Sequence, residues 1–303
     1  MRSIHGIRAT LDRNESLKGL MFIAPSLVGF ILFYFFPLIM TAVLSFCKWD
    51  MVSGFGGIEF TGLKNYTELF NDVWFKDSFR NNFLYAFLTL PLNIVLGMLF
   101  AVLIDKHCYK KNIFRMIYFL PYISSIVAVA TVWMVLFQPS FGPVNSILGS
   151  LGIENPPKWL GDTKWALPTI AMMQVWQITG YYIVVYIAGL QGIPSTLYEA
   201  ADIDGAGWFQ KLRGITIPML TPTTFFLTVT GIITSFKVFD VIQVLTQGGP
   251  GRATTVLVYY LYKVSFTFYK MGYGSTVAMV LFIVIFIITY VQWKGQEKWV
   301  NYM

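Results

Sequence analysis

Residues 199–222 read EAADIDGAGWFQKLRGITIPMLTP. Here a chain that is 56% hydrophobic places three acids within six residues, then glycines at 205 and 207, then Lys211 and Arg213 ahead of another apolar run. Only 12% of the 303 residues are charged, 17% are aromatic and the mean hydropathy is +0.61. A soluble chain of ordinary composition carries roughly a quarter charged residues. The balance marks a membrane protein, in which a polar stretch of this kind joins one span to the next.

A bilayer core is crossed by about 20 apolar helical residues. Asp, Glu, Lys and Arg are absent from residues 19–47, 81–104, 116–153, 165–198, 214–236 and 271–293. The two longest intervals also contain polar breaks, QPSFGP after Phe137 and QGIP after Leu190, so each holds one span. Six transmembrane helices are therefore expected in an all-α membrane protein. The first apolar run is about twice as long as a cleavable signal's hydrophobic region and no small-x-small site follows it, so it is expected to remain as a span.

Lys and Arg density in the connections sets the orientation. The clearest cluster is DKHCYKKNIFR, with Lys106, Lys110, Lys111 and Arg115, and Lys211, Arg213, Lys294 and Lys298 fall on the same side. That side is read as cytoplasmic, with both termini on it. The expected organisation is a cytoplasmic tail (1–18), a first span (19–47), an extracytoplasmic loop (48–80), a five-helix core (81–293) containing a cytoplasmic loop at 194–213, and a cytoplasmic tail (294–303). The net charge of +7 then needs no nucleic-acid partner, because an anionic leaflet and the topology rule account for it. Cys47 and Cys108 fall at opposite faces and read as free thiols.

Residues 48–80 read as an interfacial loop held by Trp49, Phe55, Tyr66, Trp74 and Phe75. Leu257, Leu261, Val264 and Phe268 share one helical face, as expected of a surface helix that Lys263 keeps from being a seventh span. Pro25, Pro37, Pro91, Pro121, Pro168, Pro218 and Pro222 lie in or beside spans, and so many kinks suit a bundle surrounding a pathway.

Within the opening stretch, TLYEAADID has good helix formers behind Ser195, which can cap it. Gly205 and Gly207 end that helix, since glycine takes left-handed backbone without strain. WFQKLRGITIP then restarts as an amphipathic approach to the fifth span, with Lys211 and Arg213 expected at headgroup level. Ala200 and Ala201 allow close approach by another protein, and Glu199, Asp202 and Asp204 offer an acidic edge to basic residues. A solvated polar loop fits the same residues equally well.

Glu199, Ala200, Ala201, Asp204, Gly205, Ala206, Gln210, Ile215 and Pro218 together resemble the EAA loop of membrane subunits of binding-protein-dependent ABC importers. FKVFDVIQVLTQGGPGRATTVLVYYLY (236–262), LQGIPSTLYEAA and GYGSTVAMVLF are similar to the carbohydrate branch, the sugar permeases of the maltose, glycerol-phosphate and multiple-sugar type. The likeness runs from about Asn81 to the C-terminus. It implies the type I importer permease fold, with Glu199 to Gly207 as the coupling helix that docks in a cleft of a cytoplasmic ATPase. It also implies a second homologous permease forming a heterodimer, two ATP-binding cassette subunits, an extracytoplasmic solute-binding protein, a carbohydrate substrate and a bacterial inner-membrane location.

No GxxxxGK[ST] loop occurs, so ATP and Mg are expected on the partner subunit and no cofactor on this chain. His5 and His107 are spaced for neither a metal site nor a catalytic pair, which leaves an enzyme little to work with. The rival reading is an ion-coupled carrier or channel, but such carriers bury acids at the midplane. Here Lys237 and Asp240, about one turn apart, come nearest. They either neutralise each other or face a substrate cavity. In the fourth span Gln174, Gln177 and Tyr181 share a face, and amides beside aromatic rings suit a sugar. Gln174, Tyr181 and Ser235 align by resemblance with sugar-site positions of the maltose type. SFKVFD replaces an asparagine-rich pattern there, which leaves the sugar itself open. Glue between helices is the alternative role for these polar groups.

Overall fold

In the computed structural model, residues 18–107 and 111–300 are described, and side chains for 18–105 and 113–300. Cys108 lies outside the described residues, as do His5 and the first 17 positions; Cys47 is a buried free thiol. Among the described residues four helices are long and apolar enough to cross a membrane: α1 (Lys18–Leu44), α3 (starting at Val73), α7 (Ala166–Gln191) and α13 (starting at Met271). Two bent pairs, Ile113–Ile123 with Ile126–Leu136 and Trp208–Met219 with Thr221–Phe236, raise that number to six if each pair is one span.

α3 is longer than its charge-free run, extending over Val73–His107, so the 48–80 segment is more structured than a loop. It contains a two-residue hairpin of β1 (Cys47–Lys48) and β2 (Glu59–Phe60), paired antiparallel with Cys47 opposite Phe60, then α2 (Lys64–Asn71). Phe75 is buried with Leu69, Phe236, Leu257 and Val264 rather than resting at an interface. Trp49 and Phe55 do stack on each other, 5.8 Å apart. Asp72 ties this segment to the last helices. One carboxylate oxygen accepts from the Tyr260 hydroxyl and, at 2.9 Å, from the Tyr273 hydroxyl; the other accepts the Trp74 N–H at 2.8 Å. Burial first, and donation to Asp72 second, push the Tyr260 hydroxyl well above its ordinary range. Asp72→Ala strands both phenols. It is expected to cost about 2 kcal/mol, the scale of one hydrogen bond to a charged group, and to lower the thermal midpoint of the detergent-solubilised chain.

The third apolar interval bends where the sequence showed no break. α4 (Lys111–Ile123) and α5 (Ile126–Leu136) meet at 91° across Ser124 and Ser125. α4 packs along α7, while α5 packs against α11 (Asp240–Leu245). Tertiary contact therefore sets the bend, and Pro121 sits inside α4 rather than ending it. At the crossing of α4 and α7, a Cβ on Gly180 would fall onto the Tyr118 carbonyl oxygen, so only glycine permits this approach. α6 (Pro143–Ser150) follows α5.

Two prolines are accommodated in the same way. In α1 the Phe36 N–H reaches back to the Ile31 carbonyl, and in α9 (Trp208–Met219) the Ile217 N–H reaches the Leu212 carbonyl. Each is a widened i→i−5 turn, followed immediately by Pro37 or Pro218, whose ring would clash with an ordinary i−4 carbonyl. α9 meets α10 (Thr221–Phe236) at 58°.

α3 and α7 form the most extensive helix pair, and fourteen residues of α7 are buried. α10 packs on α3, and α1 lies outside against α13 (Met271–Gly295) with none of its residues buried. α12 (Leu257–Tyr262) is not among the candidate spans. Its Leu257 and Leu261, and Val264 just beyond it, pack into the bundle, but Phe268 is exposed.

Candidate functional site

Two places carry the residues singled out in the sequence. The first is the connection between α7 and α9. Pro194 holds the N-cap position and Ser195 is already helical, so α8 spans Ser195–Ile203. It ends because Gly205 takes φ +74°, which turns the chain so that Ala206 N–H reaches the Ala201 carbonyl at 2.8 Å and Gly205 N–H that of Asp202 at 3.1 Å. This is the glycine-terminated Schellman arrangement. Gly207 caps the next helix instead of ending the first, its N–H donating to Gln210 Oε1 at 2.6 Å.

Glu199, Ala200, Asp204, Gly205 and Gly207 are exposed, with Ala201 and Ala206 half-buried. Leu197, Ile203, Trp208 and Phe209 are also exposed and give the acidic edge an apolar border. Lys211 pairs with Asp202 across the turn; the lysine side chain is only 13% exposed, while Asp202 stays 67% exposed on the acidic edge. Tyr198 Oη and Thr216 Oγ1 lie 2.9 Å apart, a second link between α8 and α9. Helix α8 is thus tied to the foot of α9 at two points.

The second place is a cavity of ≈ 310 Å³ between α3, α7 and α10. Gln174, Gln177, Ser235, Lys237 and Asp240 all line it. Tyr181 does not line it but stacks at 5.1 Å on Tyr122, which does. Gln177 and Ser235 are buried, and the Oε1 atoms of Gln174 and Gln177 are buried without a hydrogen-bond partner. Lys237 closes α10 and Asp240 opens α11. Both are exposed and no ion pair joins them, so the self-neutralising reading does not hold.

Sequence reasoning missed the α3 wall. Tyr85, Thr89 and Asn93 line the cavity at spacings of four, and Asn93 is fixed by Thr179, whose hydroxyl donates to its Oδ1 at 3.0 Å. Asn82 binds across to Ser235 carbonyl at 3.2 Å and accepts Leu257 N–H at 3.1 Å. Polar residues at 82, 89 and 93 in a charge-free run were the available signal, since steps of seven and four keep to one face.

Residues 77–294 match the family described as binding-protein-dependent transport system inner membrane component. A probable ABC transporter permease protein of Pyrococcus horikoshii is 35% identical over 285 residues, covering 92% of this chain and 97% of that one. The lactose transport system permease protein of Rhizobium radiobacter is 31% identical over 300 residues, covering 96% of this chain and 98% of its own. In fold, the chain is similar to one of a bacterial ABC transporter involved in the import of the acidic polysaccharide alginate, with a TM-score of 0.84 at 23% identity, covering 97% of this chain and all of that one.

Proposed function

The chain belongs to the family of binding-protein-dependent transport system inner membrane components, and from that premise we propose that it is one membrane subunit of an ATP-driven importer for a carbohydrate. It has the type I permease fold and acts as a transport subunit rather than an enzyme. In this reading Glu199 to Gly207 is the handle for a cytoplasmic ATPase, which puts both termini on the cytoplasmic side. Two ATPase subunits carry ATP and Mg, a second related permease completes a heterodimer, and an extracytoplasmic binding protein delivers the ligand.

The observation that carries the reading is the exposed, glycine-terminated α8 joined directly to a cavity wall. α7 holds Gln174 and Gln177 and passes through Gly192 into α8, while α9, clamped to α8, continues into α10 with Ser235. A push on α8 therefore reaches two walls of the cavity, the rigid-body coupling that alternating access requires. The cavity chemistry suits a sugar, since the Gln174 and Gln177 amides can bond hydroxyls at a ring's edge and Tyr122 in the lining supplies an aromatic group. The lactose relative supports that class of cargo.

The test is uptake by proteoliposomes holding this chain, its permease partner, the ATPase pair and the binding protein. Uptake is expected to require both ATP and the binding protein. Uphill accumulation by this chain alone on an ion gradient would overturn the assignment.

A further inference from the structure

The largest of the cavities described, ≈ 790 Å³, lies away from both places above. The N-terminal ends of α3 and α7 meet at one end of the bundle and their C-terminal ends, with α8, at the other. This cavity is at the end away from α8, beside Asp72 and Trp74. Its rim carries Lys48, Lys64, Lys263 and Lys270. Among the described residues no ion pair joins any of the four to a carboxylate. Lys263 instead sits over the Trp74 ring, 5.2 Å from its centroid.

We propose that this cavity binds the phosphodiester headgroup of an anionic glycerophospholipid. Its depth in the membrane favours that ligand. Lys48 follows the end of α1 at Leu44 by four residues and Lys270 directly precedes α13, so both ammonium groups stand where apolar spans give way to headgroups. Trp49 and Trp74 in the same wall are the amphipathic rings that favour this level.

The lining carries four lysines against the three carboxylates Asp50, Glu68 and Asp72, a net charge of +1. Asp72 is occupied by two phenols and a backbone N–H, and Asp50 accepts the Ser53 N–H at 2.7 Å, which leaves Glu68 as the one uncommitted carboxylate in the lining. The walls are held in place without a ligand. Met51 N–H donates to the Tyr269 carbonyl, Gly272 N–H to the Trp49 carbonyl, and the Asn65 amide to the Ser45 and Cys47 carbonyls. Walls already fixed in this way lower the ordering cost of binding, which then falls on the lysine side chains alone. Below it, exposed Phe36, Ile39, Met40 and Val43 of α1 give acyl chains an apolar wall.

The test is native mass spectrometry of the full-length chain in detergent, titrated separately with phosphatidylglycerol, phosphatidylethanolamine and soluble glycerol phosphate. Wild type is expected to retain phosphatidylglycerol in preference to phosphatidylethanolamine. Lys48→Gln with Lys270→Gln, both on exposed side chains, is expected to reduce that retention about tenfold or more, since each removes a cation beside the anionic headgroup. The corresponding pair of Arg substitutions is expected to keep it. Equal retention of both lipids, no loss in the Gln pair, or equal competition by glycerol phosphate would each overturn the proposal. So would a Gln pair that holds lipid normally but no longer captures the binding protein, which would make the surface a protein-docking one.

Discussion

Glu199→Lys is expected to leave the chain folded and inserted while ATPase co-purification and ATP-driven uptake both fall about tenfold, equivalent to roughly 1.4 kcal/mol in the docking contact. Glu199 is exposed on α8 with no partner among the described residues, so its replacement disturbs no packing there and a loss reports on what it meets outside. Gly205 supplies the conformational half of the same experiment. A Cβ there would meet no atom within 4 Å, so any penalty comes from the backbone at φ +74°. Gly205→Val places a β-branched residue in left-handed geometry at a cost of roughly 1–2 kcal/mol and is expected to unwind the end of α8 and reduce uptake as Glu199→Lys does. Gly205→Asn, which tolerates that geometry, is expected to retain most of the uptake. If Glu199→Lys and Gly205→Val both transport normally and still bring down the ATPase, α8 is an ordinary solvated turn.

The positions of the helices were legible because charge-free runs of this length have few alternatives: lipid leaves no other way to satisfy the backbone. The acidic stretch was legible for the converse reason, since acids and glycines inside so apolar a chain must lie in a connection. What could not be read depended on residues meeting across distance. The Asp202–Lys211 pair was hidden because Lys211, nine positions on, faces Asp202 only after Gly205 turns the chain. The right-angle bend at Ser124–Ser125 is imposed by α5 packing on α11, more than a hundred residues later. Phe75 looked interfacial because nothing local shows that Leu257 and Val264 will cover it. In the cavity, the α7 face was visible from its spacing and the α3 face was not, because Thr89 and Asn93 are the common stuff of helix contacts until Gln174 and Gln177 are opposite them.

Gln177→Leu and Gln174→Leu separate the two roles left open for those amides. If they were glue between helices, removing either would strand a protein partner and destabilise the chain by about 1–3 kcal/mol. In the structure neither buried Oε1 atom accepts from a protein donor among the described residues, so leucine, of similar size, removes no bond between helices. The thermal midpoint of each variant is therefore expected to stay level or rise. Transport is expected to suffer, because both amides line the cavity and their oxygens can accept from ligand hydroxyls there. Losing one such bond is worth about 1 kcal/mol and losing both about 2, so the half-saturating substrate concentration is expected to rise roughly fivefold in each single variant and about thirtyfold in the double. ATPase co-purification should be unchanged, because α8 is untouched. A double variant that melts early yet transports with unaltered substrate dependence would assign these amides to packing and move the substrate elsewhere in the bundle.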